Sequence, residues 1–317
     1  MSYKPILIIA GQPKSIFLEI FFKSIKNKKF KSPLILICSK KLLLQNMKRF
    51  KFKKKIKVLN SENFKHTYLN NKYINLVDVE YNPNKNSREI NKYIKKTFEV
   101  AFKIIKQNIT HKLINGPISK KEFLNKKYLG ITEYIAKKFS IKKYAMLIYN
   151  KKLSVSPVTT HLPIKLVSKK ISKNLILEKI VLIENFFKDN FKKKPKIGVV
   201  GLNPHCESIS KFNEDDKIIK PVIKYLKTMK YNISGPVSAD TVFLKKNRDK
   251  YDVIVGMYHD QVLAPLKTIY EYNAINITLG LPFIRISPDH GPNELMMGLN
   301  KSNPLSLIKA ISFLDKY

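Results

Sequence analysis

Short apolar runs alternate with longer amphipathic stretches along this chain, and that alternation constrains its fold more than any other feature. Pro5–Ala10 (PILIIA), Pro33–Cys38 (PLILIC), Lys196–Gly201 (KIGVVG) and Asp252–Met257 (DVIVGM) are short and largely apolar, and Lys112–Asn115 (KLIN), ended by Gly116-Pro117, is another short strand-like run. They predict buried strands, covered on both faces as in parallel sheets. Residues 14–26, 40–49, 172–190 and 214–229 read as helices. The clearest helix, Ser87–Asn108, sets Ile90, Ile94, Phe98, Ala101, Phe102 and Ile105 at helical spacing, with Ser87 as N-cap and Glu89 and Glu99 on the polar face. Tyr144–Tyr149 and Leu153–Val158 predict a hairpin about Asn150-Lys151-Lys152, and Ala274–Thr278 and Phe283–Ile286 predict two more short strands. A terminal helix is expected over Ser302–Leu314, capped by Ser302. Residues 60–86 are polar and Asn-rich, and Asn82-Pro83-Asn84 predicts a turn. The whole pattern is that of an α/β protein with a largely parallel sheet.

The 317 residues include 61 Lys+Arg against 23 Asp+Glu, a formal net charge of +38. Such a balance suits a nucleic-acid or anionic-membrane partner, but its make-up points elsewhere. Only Arg49, Arg88, Arg248 and Arg285 are arginines, whereas nucleic-acid readers favour Arg for bidentate contacts. Lys, Ile and Asn (27 residues) are inflated together, as A/T-rich codons filling tolerant surface positions would produce. Residues 251–300 escape the drift: two cations, Lys267 and Arg285, stand against five acids, Asp252, Asp260, Glu271, Asp289 and Glu294. Another constraint holds that block. Two cysteines exclude a disulfide scaffold and a Cys-rich metal framework. No apolar run nears the ~20 residues of a membrane span, and Met1–Pro5 leads straight into a strand-like run without a secretory layout. The expectation is a cytoplasmic protein with neither nucleic acid nor membrane as partner.

Three of the six histidines share one context. His161 (SVSPVTTHLP), His205 (IGVVGLNPHCES) and His259 (VIVGMYHDQ) each follow an apolar strand. Ligands of open α/β sheets bind beyond the carboxyl ends of the strands, and three imidazoles converging there make a catalytic metal site with open positions. His66 and His111 lack the context and read as surface residues, while His290 (SPDHGPN) lies in a turn near the acidic block. Cys206 follows His205 and reads as packing, because adjacent side chains on an extended segment point to opposite sides. Lys267 and Arg285 suit a phosphate or carboxylate, with Arg285 able to bind it bidentately, and Asn276 adds a polar side chain in a strand-like run.

The strings GPISK (116–120), GITE (130–133), TTHLP (159–163), GLNPH (201–205), SADT (238–241), MYHDQ (257–261) and NITLGLPFIRISPDHG (276–291) carry the argument further. In order and spacing they resemble the 4-hydroxythreonine-4-phosphate dehydrogenase family, from about Leu7 to the C-terminus. The resemblance implies a fold like that of the isocitrate and isopropylmalate dehydrogenases. Residues 1–317 would form one catalytic unit of two α/β subdomains, roughly 1–125 with 268–317 and 126–267, with a cleft between them. It implies a homodimer in pyridoxal phosphate (vitamin B6) synthesis. The reaction would oxidise 4-phosphooxy-L-threonine with NAD or NADP and one divalent metal per site, zinc, magnesium or cobalt. The resulting β-keto acid would lose CO2. By the same resemblance His161, His205 and His259 are the metal ligands, with His259 supplied across the dimer interface. Thr132, Lys267, Asn276 and Arg285 are the substrate contacts. Lys267 and Asp260 are candidate bases, His290 a weaker one, and the chain has no GxGxxG, so the nucleotide does not sit on a Rossmann fingerprint.

The sequence departs from the family at three places. Ile131 stands where the family's Gly-His-Thr-Glu motif has a substrate-contacting His, and it offers neither hydrogen bond nor charge. Gly11–Glu19 replaces a Gly-rich turn and lacks two of its glycines and an acid. The run after His205 reads CESIS instead of a small, Gly-rich run. These changes leave the histidines intact and keep a second substrate open, another phosphorylated hydroxy acid such as a four-carbon sugar acid phosphate. A basic nucleic-acid-associated protein is the alternative from another class.

Overall fold

The computed structural model describes residues 3–60, 68–82, 87–119, 128, 130–209 and 212–316. In chain order the main elements are β1 (Ile6–Ile9), α1 (Phe17–Asn27), β2 (Leu34–Cys38), α2 (Lys40–Arg49), β3 (Ile56–Val58), β4 (Ile74–Asp78), α3 (Ser87–Lys106) and β5 (Lys112–Asn115). There follow α4 (Ile131–Lys138), β6 (Ala145–Tyr149), β7 (Ser154–Thr159), α5 (Lys173–Phe191), β8 (Ile197–Val200), α6 (Lys220–Thr228) and β9 (Ile233–Val237). The chain ends with β10 (Val253–Tyr258), α7 (His259–Tyr270), β11 (Ile275–Leu279), β12 (Ile284–Pro288) and α8 (Leu305–Leu314). This is the expected mixed α/β class. Among the described residues no helix is long and apolar enough to cross a membrane.

The chain divides into two compact units, Met1–Ile131 with Pro282–Tyr317, and Thr132–Leu281. The sequence reading placed the division near 125 and 267; here all of α7 and β11 fall in the second unit. In the first unit the strand order is β3-β4-β2-β1-β5-β12, and every pairing is parallel. Its central strand, Ile6–Ile9, is fully buried, which explains the unbroken apolar run PILIIA. In the second unit the order is β11-β6-β7-β10-β8-β9. There β7, β10, β8 and β9 run parallel, while β6 is antiparallel to both β7 and β11. The β6–β7 hairpin forms about Asn150, whose amide oxygen accepts from Lys152 N at 2.8 Å. Behind these strands Val155, Val200, Ile254, Val262, Leu263 and Leu266 close the core.

Several expectations change. The polar stretch 60–86 contains β4, because Asn75 is a buried strand residue: its Nδ2 donates to Leu34 O at 3.0 Å and Asn70 O at 2.8 Å. With its amide N–H groups paired in this way, and its Oδ1 left without a hydrogen bond among the described residues, Asn75 occupies the interior of a parallel sheet. Ser302 does not cap the terminal helix. Its backbone N–H donates to the buried Glu19 carboxylate at 2.7 Å, and Asn303 Oδ1 accepts from Leu305 N at 2.9 Å to start α8. The N-terminal turn, with fewer glycines than the family's, is held by local hydrogen bonds. Gly11 keeps φ +79°, and the Ser15 hydroxyl donates to Gln12 O at 2.7 Å and accepts from Phe17 N at 3.3 Å, so the helix begins at Phe17. Residues 83 and 84 of the expected turn, the side chain of Ser87 and His66 lie outside the described residues.

Candidate active site

The three histidines follow the ends of three adjacent parallel strands. β7 ends at Thr159, β10 at Tyr258 and β8 at Val200, and β10 lies between the other two. Parallel pairing sends all three carboxyl ends to one edge, so a shared strand-end context in sequence becomes a shared place in the fold. His161 and His259 meet there, with ring centroids 5.9 Å apart. His161 Nδ1 is buried and makes no hydrogen bond among the described residues. His259 opens α7, and its Nδ1 lies 2.6 Å from Asp260 Oδ1.

His205 does not join them in one chain: among the described residues no three His, Cys, Asp or Glu side chains stand close enough to hold one metal ion. It sits exposed in the turn Pro204–Cys206, and both His205 (φ 54°) and Cys206 (φ 63°) adopt the left-handed conformation. For residues with a Cβ this is a strained arrangement. The turn is held by Asp215, which is fully buried. Its Oδ1 accepts from Leu202 N at 2.8 Å, and its Oδ2 accepts from Asn203 N at 3.0 Å and Asn203 Nδ2 at 2.9 Å. Gln261 ties this loop to the His259 strand: its Nε2 donates to Gly201 O at 2.8 Å and its Oε1 accepts from Met257 N at 2.7 Å. The opposite exposures of His205 and Cys206 fit the expectation that Cys206 packs, although the cause is a left-handed turn and not an extended segment. Burial, and then the Asp215 charge, push the Cys206 thiol above its ordinary value, so it is no ready thiolate.

Glu133, unassigned by sequence, faces His161 at 3.8 Å (Oε1 to Nδ1). Burial alone would raise its carboxyl, but the His161 ring, its own backbone N–H and the Thr160 hydroxyl outweigh that and hold it below the usual carboxylate value. The signal was present in sequence as the acid closing GITE, next to Thr132. Thr132 itself is buried on α4, with its Oγ1 3.4 Å from Thr278 Oγ1. Asn276, on β11, has a buried Oδ1 without a hydrogen-bond partner among the described residues. Lys267 is exposed on α7, and Asp260 is exposed beside His259. In the first unit, Arg285 on β12 is almost completely buried, and its Nε donates to Asn115 Oδ1 at 2.7 Å. A guanidinium held this deep has its fork oriented before any anion arrives. His290 Nδ1 lies 3.0 Å from Gly291 O, and His111 is exposed as expected.

The family described as "Pyridoxal phosphate biosynthetic protein PdxA" matches residues 29–314. The 4-hydroxythreonine-4-phosphate dehydrogenase of Sulfurihydrogenibium sp. (strain YO3AOP1) is 38% identical over 313 residues, covering 96% of this chain and 95% of its own. The D-threonate 4-phosphate dehydrogenase of Pectobacterium atrosepticum is 34% identical over 204 residues, 63% of each chain. A 1.25 Å crystal structure of 4-hydroxythreonine-4-phosphate dehydrogenase from Klebsiella pneumoniae matches the fold with a TM-score of 0.83 at 25% identity, over 98% of this chain and 97% of that one.

Proposed function

Because the chain belongs to the family of the pyridoxal phosphate biosynthetic protein PdxA, we propose that it oxidises 4-phosphooxy-L-threonine in pyridoxal phosphate synthesis. The observation that carries this reading is the pair of imidazoles at the ends of β7 and β10, one with a buried, unbonded ring nitrogen, beside a third histidine at the end of β8. Their imidazole nitrogens suit zinc or cobalt and are poor donors for magnesium, the third metal the resemblance implies. His161 and His259 would bind the metal from one chain and His205 from the second copy of a homodimer. The resemblance implies His259 in the crossing role; the 5.9 Å between its ring and His161 within one chain is the ground on which His205 is proposed for it instead.

When bound, the metal supplies Lewis acidity at the substrate hydroxyl, and NAD or NADP supplies the hydride acceptor. The chain's own groups do the rest. Lys267 and Asp260 are the proposed acceptors of the hydroxyl proton, and Asp260, on His259 Nδ1, also steadies that ring. Thr132 and Asn276 offer a hydroxyl and an amide to the substrate, and Arg285 offers positive charge to its phosphate or carboxylate, joined by Lys267 where Asp260 takes the proton and Lys267 stays an ammonium. Oxidation gives a 2-amino-3-oxo acid. Its carboxylate leaves as CO2, the C–C electron pair remains as an enol, and protonation yields 3-amino-2-oxopropyl phosphate.

The test is NAD(P)H absorbance on 4-phosphooxy-L-threonine with each metal added to stripped protein. Turnover is expected, and His161→Ala, His205→Ala and His259→Ala should each lose both turnover and bound metal. Absence of turnover with either nucleotide and every metal would remove the assignment. Ile131 supports a second reading, a dehydrogenase of another phosphorylated hydroxy acid. Half-buried at the start of α4, it offers no hydrogen bond where the resemblance expects a substrate contact, and one relative is named for D-threonate 4-phosphate. If Ile131→His raises kcat/KM on 4-phosphooxy-L-threonine, the first substrate stands. If it lowers it while D-threonate 4-phosphate is turned over faster, the second does.

A further inference from the structure

A buried ring nitrogen and a buried carboxylate face each other without a bond between them. His161 Nδ1 and Glu133 Oε2 make no hydrogen bond among the described residues, and Glu133 Oε1 lies 3.8 Å from that same ring nitrogen. Both side chains are largely buried, with 18% of His161 and 13% of Glu133 exposed. Thr160 Oγ1 donates to Glu133 Oε1 at 3.4 Å, which keeps the carboxylate turned toward the segment that carries His161. Buried polar groups are rarely left unbonded, and a closure of about 1 Å would bring this pair to an N–H···O hydrogen bond. A carboxylate accepts only, so the bond it takes from Nδ1 decides which nitrogen of the ring carries the proton.

We propose that Glu133 is the positioning residue of His161: its carboxylate takes a hydrogen bond from Nδ1–H and leaves Nε2 as the lone-pair nitrogen that binds the divalent metal. The proposal rests on reading His161 as a metal ligand. The neighbouring ring follows the same pattern, since His259 Nδ1 is 2.6 Å from Asp260 Oδ1. Both rings would then present Nε2 to one ion. The two carboxylates differ in setting. Asp260 is 84% exposed, so water competes for His259, whereas Glu133 is sheltered and is the dominant group orienting His161. Outer carboxylates of this kind fix the tautomer and raise ligand basicity.

The experiment titrates Co2+ into the metal-free full-length protein and follows the visible Co2+ absorption, which reports coordination, in wild type, His161→Ala, Glu133→Ala and Glu133→Gln. In parallel, 15N chemical shifts of the His161 ring are read without metal. Glu133→Ala should bind Co2+ about 10- to 100-fold more weakly with an altered spectrum. Its His161 should lose the Nδ1–H tautomer, and Glu133→Gln, which keeps an acceptor oxygen, should recover part of both. Should Glu133→Ala fail to fold, the ring shifts and Co2+ affinity of Glu133→Gln, intermediate if the proposal holds, still decide. Wild-type Co2+ affinity and ring shifts in the Glu133 variants, with binding lost in His161→Ala, would overturn the proposal and leave His161 a ligand. Wild-type binding by His161→Ala would overturn the ligand reading and this inference with it.

Discussion

Asp215→Ala tests what holds His205 in place. The carboxylate is fully buried and accepts from Leu202 N (2.8 Å), Asn203 N (3.0 Å) and Asn203 Nδ2 (2.9 Å). Removing it strands two backbone donors, while Asn203 Nδ2 keeps its bond to Glu214 Oε2 at 3.1 Å. Each lost bond to a charged acceptor is worth ~1.5–3 kcal/mol. The variant also escapes the cost of burying a carboxylate, which offsets part of the sum. A net destabilisation of about 2–4 kcal/mol follows. It should be concentrated in the loop, because the left-handed turn at His205 and Cys206 is strained by ~1–2 kcal/mol per residue and relaxes once the clamp is gone. Hydrogen exchange should show the Leu202 and Asn203 amides exchanging roughly 30- to 800-fold faster, and the urea midpoint should fall. Asp215→Asn is expected to be little better. Both carboxylate oxygens accept from N–H groups, so either orientation of an Asn amide aims its NH2 at a donor. Unchanged protection of the two amides in Asp215→Ala, with a stability change under about 0.5 kcal/mol, would refute the clamp.

Arg285→Ala should lower kcat/KM by about 10- to 150-fold. Arg285→Lys should lower it less, because it keeps the charge but loses the Nε–H bond to Asn115 Oδ1; equal losses in steady-state assays would contradict an anion-binding fork. Subunit mixing tests the crossing ligand: inactive His205→Ala chains exchanged with inactive His161→Ala chains should regain activity, whereas His161→Ala with His259→Ala should not. Recovery in the second mixture would return the crossing role to His259. Alkaline stability carries a further expectation. Burial raises the Cys38 and Cys206 thiols and the Tyr93 hydroxyl above their ordinary values. The unfolded chain therefore loses these protons first, and stability, full below the ordinary thiol value of 9.0, falls as pH rises past it. Cys38→Ala should flatten that decline by up to ~1.4 kcal/mol per pH unit, read from urea midpoints; an unchanged slope would show that Cys38 is not responsible.

The sequence by itself determined what each segment is. PILIIA, PLILIC and VIVGM are strands because an unbroken apolar run is stable only with both faces covered, and β1, β2 and β10 are buried throughout or nearly so. Ser39 and Ser172 start their helices by local hydrogen bonds to Leu42 N and Leu175 N, which are written into the chain. The histidines could be placed at strand ends because the strands before them were legible. Only the tertiary structure decided which strands lie side by side, and so which histidines meet. β10 separates β7 from β8, and His161 reaches His259 across a sequence gap that no periodicity spans. The same holds for polar groups paired at a distance. Asn75 sits in a stretch whose polarity reads as loop until the Leu34 carbonyl accepts its amide, and nothing in the sequence marks the burial of Asp215 or Glu133, which folding packs against the loops of His205 and His161. Hydrophobic periodicity reports the partition of each residue between water and core. The partner of a buried polar atom is set by strand order and register, which arise from long-range packing and leave no local trace.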